Sequence, residues 1–169
     1  MFVRQKTRFF TIALFLFACA AAANSAIADN GIDSLNSIRA VVKEPAQLKN
    51  KVVYVDFWAS WCGPCRRSFP WMQQLEAKYA DRGFKIVTVN LDRDRAAAKK
   101  FLQDLNATFE VIYDSTGALA TKYSLEAMPT SFIYGRDGKL RKQHRGFNPK
   151  ETDGIDMLID ELLKEGAKK

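Results

Sequence analysis

The chain has 169 residues and a formal net charge of +7, from 26 basic and 19 acidic side chains. Three of the basic residues, Arg4, Lys6 and Arg8, fall in the first 28 positions with no acid beside them, which leaves about +4 for the remainder. That mild balance implies a solvated basic surface and no nucleic-acid partner, and the roughly 141 residues left form one domain with a real core but no second domain.

Residues 1–28 read as a secretory signal peptide. After the basic start, Phe9 to Ala23 is an apolar run of about 15 residues, short of the ~20 that a transmembrane helix needs. Ala26-Ile27-Ala28 before Asp29 fits the small-x-small cleavage rule, so the mature chain is expected over 29–169 and exported. Two other readings are a lipoprotein signal ending at Leu16-Phe17-Ala18-Cys19, with Cys19 acylated, and an uncleaved membrane anchor. The bulk of Phe17 argues against the first.

Asn30 to Asn50 holds scattered Ile32, Leu35, Ile38, Val41 and Val42, enough for a short edge strand or an amino-terminal helix. Val52 to Phe57 is an apolar, β-branched and aromatic run interrupted only by Asp56, the pattern of a buried central strand. Trp61-Cys62-Gly63-Pro64-Cys65 follows it directly. Then Cys65, Phe69, Met72, Leu75 and Tyr79 recur every three or four residues, which predicts a helix with one apolar face and places Cys62 at its amino terminus. Unpaired N–H groups and the helix dipole there favour an anion, so the Cys62 thiolate is stabilised and Cys62 is the expected nucleophile. Cys65, one turn further in, faces the core and is placed to resolve a mixed disulfide. A structural disulfide and a metal pair are the alternatives. Zinc needs four ligands, and beyond these two cysteines the chain offers only His144 and Cys19.

Lys85 to Asn90 is a second strand and Arg93 to Leu105 a helix whose apolar face is Ala98, Phe101, Leu102 and Leu105. Phe109 to Tyr113 is a short strand, Asp114 to Gly117 a turn, and Ala118 to Tyr123 a short helix. Ser131 to Tyr134 and Leu140 to His144 flank Gly135-Arg136-Asp137-Gly138, a hairpin signal. The basic run Lys139 to Arg145 suits the outer face of an edge strand, where cations block edge-to-edge pairing. The last helix has Asn148 as N-cap, Pro149 at its first position and Gly166 beyond its end, with Ile155, Leu158, Ile159, Leu162 and Leu163 facing inward. Alternating strands and helices closed by a hairpin and a helix give an α/β fold, a mixed sheet with helices on both faces.

With these residues placed, the chain resembles the thioredoxin superfamily, and within it the exported TlpA/ResA-like thiol-disulfide oxidoreductases, over about residues 45–165. The resemblance rests on Val55 to Arg66, Phe69-Pro70, Met128-Pro129-Thr130 and the Asp137-Gly138 turn. The long gap between Cys65 and Pro129 matches the extra strand and helix near 93–113 that this branch carries. The family implies a thioredoxin-like domain over 29–169 and a cis bond between Met128 and Pro129. It implies that Pro129 keeps metal off the dithiol, that Met128 offers backbone groups to a partner, and that Trp61 shields the disulfide, with Gly63 and Pro64 completing the contact surface. Asp56, in a strand that reads as buried, should have a raised pKa and could shuttle the Cys65 proton. The expected redox group is the Cys62-Cys65 disulfide itself, without a further cofactor. The expected partners are disulfide-containing exported proteins and a membrane electron donor, and the expected state is a monomer in the periplasm. Alternatives within the same reading are a thiol reductant of cytochrome c maturation, although the acidic residue often found beside such sites is missing, and a copper-handling dithiol protein with Met128 as third soft ligand. A thiol peroxidase on this fold would need an upstream threonine-containing nucleophile motif.

Overall fold

The computed structural model describes residues 34–165, so the expected signal peptide over 1–28, Cys19 and Gly166 lie outside the described residues. Five strands form one sheet in the order β3-β2-β1-β4-β5. The strands are β1 (Val52–Trp58), β2 (Phe84–Asn90), β3 (Glu110–Tyr113), β4 (Thr130–Tyr134) and β5 (Leu140–Arg145). β1, β2 and β3 run parallel, and β4 and β5 are antiparallel to their neighbours. The helices are α1 (Asn36–Arg39), α2 (Gly63–Tyr79), α3 (Arg95–Asp104), α4 (Ala118–Lys122) and α5 (Thr152–Glu165). No helix among the described residues is long and apolar enough to cross a membrane.

Period-two alternation along β1 divides the core into two. Val52, Tyr54 and Trp58 pack with Cys62, Cys65, Phe69 and Met72 of the α2 region, Phe101 of α3, and Ile155 and Ile159 of α5. Val53, Val55 and Phe57 face the other way, onto Leu35, Ile38, Leu48, Tyr123 and Phe132. Every residue of β1 is buried, as a central strand requires. The sheet therefore carries helices on both faces, and the α3–β3 unit extends its parallel edge beyond β2.

Three local details refine the expectations. Among the described residues the stretch before β1 forms no edge strand: Ser34 makes a single bridge to Lys139, followed by α1 and a 3₁₀ turn over Pro45–Leu48. The last helix begins as a 3₁₀ turn over Pro149–Glu151, with the Asn148 side chain accepting from the Lys150 N–H at 3.1 Å, and becomes α-helical at Thr152. On β5 the register slips between Ile133 and Tyr134, whose partners are Lys142 and Leu140. Arg141 is the extra residue, so Arg141 and Lys142 are both exposed and simple alternation fails there. At the hairpin, Gly138 takes φ +77°, a conformation that a side chain disfavours.

Candidate active site

β1 ends at Trp58, and the turn Ala59-Ser60-Trp61 delivers Cys62 to the start of α2. Cys62 is the N-cap: its backbone is extended, and its sulfur accepts the Cys65 N–H at 3.2 Å. Pro64, within the first turn, sacrifices an N–H that has no partner inside the helix in any case. Cys62 and Cys65 are joined in a disulfide with Cα atoms 5.3 Å apart. Cys62 keeps 5% exposure, Cys65 none, and Trp61 beside them is 71% exposed. Of the two residues, only Cys62 keeps any exposed area.

The turn is held from β2. The Asp92 carboxylate accepts the Ser60 N–H at 2.9 Å through Oδ2 and the Ser60 hydroxyl at 2.9 Å through Oδ1. Asn90 donates its amide to Asp92 Oδ2 at 2.7 Å. Asp92 is nearly inaccessible, so these bonds form where water does not compete. The Asp92→Ala variant is expected to lose about 2–3 kcal/mol in urea unfolding, because the buried Ser60 and Asn90 donors are left without their charged acceptor. Sequence reading missed this clamp. Its only signal was two polar residues, Asn90 at the end of β2 and Asp92 just beyond it, after the apolar Val87 and Val89.

Behind the cysteines, Trp58 stacks with Phe69 and Phe101 at centroid separations of 5.0 and 4.7 Å, and Phe69 reaches Phe109 at 5.4 Å. Each such aromatic pair adds about 0.5–1.5 kcal/mol beyond area burial, which makes α2 a firm platform. Pro70 sits within α2, and the helix continues through it to Tyr79.

Asp56 lies on the Cys65 face of β1 at 1% exposure. Burial pushes its carboxyl up to about 8, and a hydrogen bond from Ser131 pulls in the opposite direction. Its Oδ2 has no hydrogen-bond partner, and neither has the nearby Trp58 Nε1. Ser131 opposes Asp56 across the β1–β4 pairing, and its hydroxyl also contacts the Tyr54 hydroxyl at 2.6 Å. Burial, and then the Asp56 charge, raise the Tyr54 pKa far above its ordinary value. Ser131 thus joins two buried acids, a link that sequence reading did not anticipate.

The loop before β4 completes the site. The Met128–Pro129 peptide bond is cis, Pro129 is buried, and half-buried Met128 packs on the cysteine-bearing core. The Pro129 carbonyl accepts the Gly146 N–H at 2.7 Å and the Thr130 hydroxyl donates to the Ala127 carbonyl at 2.8 Å, which anchors the loop on both sides of Met128. Among the described residues no three His, Cys, Asp or Glu side chains gather as a metal site.

The redoxin family model matches residues 28–159. The chain belongs to the redoxin family. Within it, the chain is 33% identical over 122 residues to the thiol-disulfide oxidoreductase ResA of Bacillus thuringiensis, a match that spans 72% of this chain and 67% of that protein. It is 31% identical over 99 residues to ResA of Bacillus subtilis, covering 59% of this chain and 55% of that one. Among solved structures, a thiol:disulfide interchange protein DsbE from Chlorobium tepidum superposes with a TM-score of 0.67 at 47% identity, over 70% of this chain and 84% of that one. StoA from Bacillus subtilis gives 0.56 at 28% identity, over 64% and 82%. This redoxin is a TlpA/ResA-like member of the thioredoxin superfamily and a thiol-disulfide oxidoreductase.

Proposed function

We propose that this oxidoreductase works outside the cytoplasm, in a bacterial periplasm or on the outer side of the membrane, and reduces disulfides in other exported proteins. The observation that carries the exchange chemistry is the asymmetry of the pair: Cys62 caps α2 at the surface and receives an N–H on its sulfur, while Cys65 is enclosed. In the reduced protein the same N–H and the helix terminus favour a Cys62 thiolate. That thiolate attacks one sulfur of the substrate disulfide and expels the other as a thiolate. Cys65, losing its proton, then attacks Cys62 and releases the second substrate thiol. Two electrons pass to the substrate, whose two thiolates take their protons from the medium, and the Cys62-Cys65 disulfide remains.

Asp56, poised near neutrality by burial, accepts the Cys65 proton in this scheme. Neither backbone group of Met128 is hydrogen-bonded among the described residues, so an extended substrate segment can pair with it. Trp61, Gly63 and Pro64 border the reactive sulfur. The leader over residues 1–28 and the domain over 29–169 fit an exported chain. An oxidising compartment holds no small-thiol pool, so a membrane electron donor must regenerate the dithiol.

Trapping tests the scheme. Cys65→Ser is expected to accumulate mixed disulfides on Cys62 when incubated with an extract of exported proteins, released by dithiothreitol and seen on non-reducing gels. Recovery of no such adduct counts against an exchange role. A reduction potential as high as that of a strong protein oxidant would sink the reducing direction.

A further inference from the structure

Nine arginines lie among the described residues, and their partners divide them by place. Arg82, Arg141 and Arg145 pair with carboxylates, and Arg39 and Arg136 donate to backbone carbonyls. The other four, Arg66, Arg67, Arg93 and Arg95, are exposed and donate to no acceptor among the described residues. All four stand at one end of the sheet, at the carboxyl ends of the parallel strands β1 and β2. Arg66 and Arg67 follow Cys65 in the opening turns of α2, and Arg93 and Arg95 flank the start of α3.

This placement opposes local stability. Cations in the opening turns of a helix face its positive dipole end, each at a cost of about 0.3–1 kcal/mol. Two of them lie over aromatic rings and form no ion pair among the described residues: the Arg66 guanidinium lies 4.7 Å from the centre of the Phe101 ring, and that of Arg95 lies 3.9 Å from the centre of the Tyr113 ring. Of the acids nearby, Glu110 lines the same hollow as Arg95 without forming an ion pair, and the others are engaged elsewhere. Asp92 and Asp114 are buried and bonded to Ser60 and to the Ala120 N–H, Asp94 caps α3 through the Ala96 N–H, and Glu126 is paired with Arg145. A row of unpaired arginines that weakens its own helices, beside a 71% exposed tryptophan and the accessible sulfur, is the form of a recognition surface.

We propose that this arginine row docks the redox partner through an acidic segment flanking the partner's disulfide. It rests on the exchange reading above and supplies that reading with a substrate class. Arg guanidinium groups take carboxylates through paired N–H donors, and their field speeds encounter before contact is made.

The test uses two oxidised two-cysteine peptides of otherwise identical sequence, one flanked by glutamates and one by lysines. Their rates of reduction by the reduced protein are each divided by the rate with dithiothreitol, which removes the peptides' own reactivity. At low salt the glutamate peptide is expected to be favoured by about tenfold or more, and the preference should collapse toward one at about 1 M salt, where the Debye length is only about 3 Å. The double variant Arg67→Glu/Arg93→Glu should abolish or reverse the preference, and the neutral pair Arg67→Gln/Arg93→Gln should reduce it. Lys139→Glu/Lys142→Glu makes a charge change of the same size in the β4–β5 hairpin and strand β5, away from the row, and should leave the preference intact. Because the readout is a ratio between two peptides, any change in thiolate reactivity cancels. Equal, measurable rates for both peptides overturn the docking proposal alone, whereas no reduction of either peptide overturns the exchange reading with it. Equal peptide rates combined with arginine-dependent binding to anionic lipid vesicles would assign the row to a membrane surface and reject an acidic protein partner.

Discussion

Replacing Cys62 by serine is expected to lower disulfide reduction by at least about 10³-fold, while the variant stays folded. The size of the effect follows from position. Cys62 alone offers a sulfur at the surface, and Cys65 has no exposed area through which to substitute for it. A serine hydroxyl keeps the N-cap, because its oxygen can accept the Cys65 N–H that the sulfur accepts now. Loss of rate without loss of the helix is therefore the expected signature, read from the second-order rate with a protein disulfide and from circular dichroism. A rate within tenfold of the unaltered protein would reassign the nucleophile.

The largest expected effect on stability comes from Asp56→Asn, and it depends on pH. The carboxyl titrates at about 8 in the folded protein, against an ordinary 3.8, because burial disfavours its charge. Between these values the folded state holds a proton that the unfolded chain releases. The contribution of Asp56 is thus most favourable below about pH 4, is lost progressively as pH rises from about 4 to about 8, and is gone above that range. The span corresponds to an upper figure of about 6 kcal/mol. Asn keeps the shape and carries no proton to lose. The variant should match the unaltered protein near pH 4 and exceed its stability by several kcal/mol at pH 8.5, measured by urea unfolding of the oxidised form. Equal stability at both pH values would show that Asp56 is solvated. In the exchange reaction the same variant should be slower at the Cys65 step, since the buried base is removed.

Much of this molecule was legible in the chain because its strongest signals are local. The apolar run of β1, broken only by Asp56, the three-to-four spacing of Cys65, Phe69, Met72 and Tyr79, and the glycines around the hairpin each reflect a constraint that acts over a few residues. The paired cysteines and Met128-Pro129 carried the site by resemblance. The parts that escaped are those made by long-range pairing. Asp92 reaches Ser60 across 32 residues, and Ser131 meets Tyr54 across 77, and neither partner carries a mark in its own neighbourhood. The bulge at Arg141 escaped for another reason: one extra residue inverts the alternation, and a row of basic side chains reads alike in either phase. The arginine row was visible as letters, yet its grouping depends on β1 and β2 lying parallel.

The place of β1 has a consequence for motion. It is the middle strand of five, hydrogen-bonded along both edges to strands that are themselves paired on their far sides. Its amides have no local route to solvent, so their hydrogen exchange should report only opening of the whole domain. The Ala59-Ser60-Trp61 turn is fastened chiefly by one carboxylate from the loop that follows the neighbouring strand. Changes between the dithiol and disulfide states can therefore be absorbed in that short turn and the first residues of α2. The sheet beneath acts as a fixed bench, and the chemistry works on a hinge set at its rim.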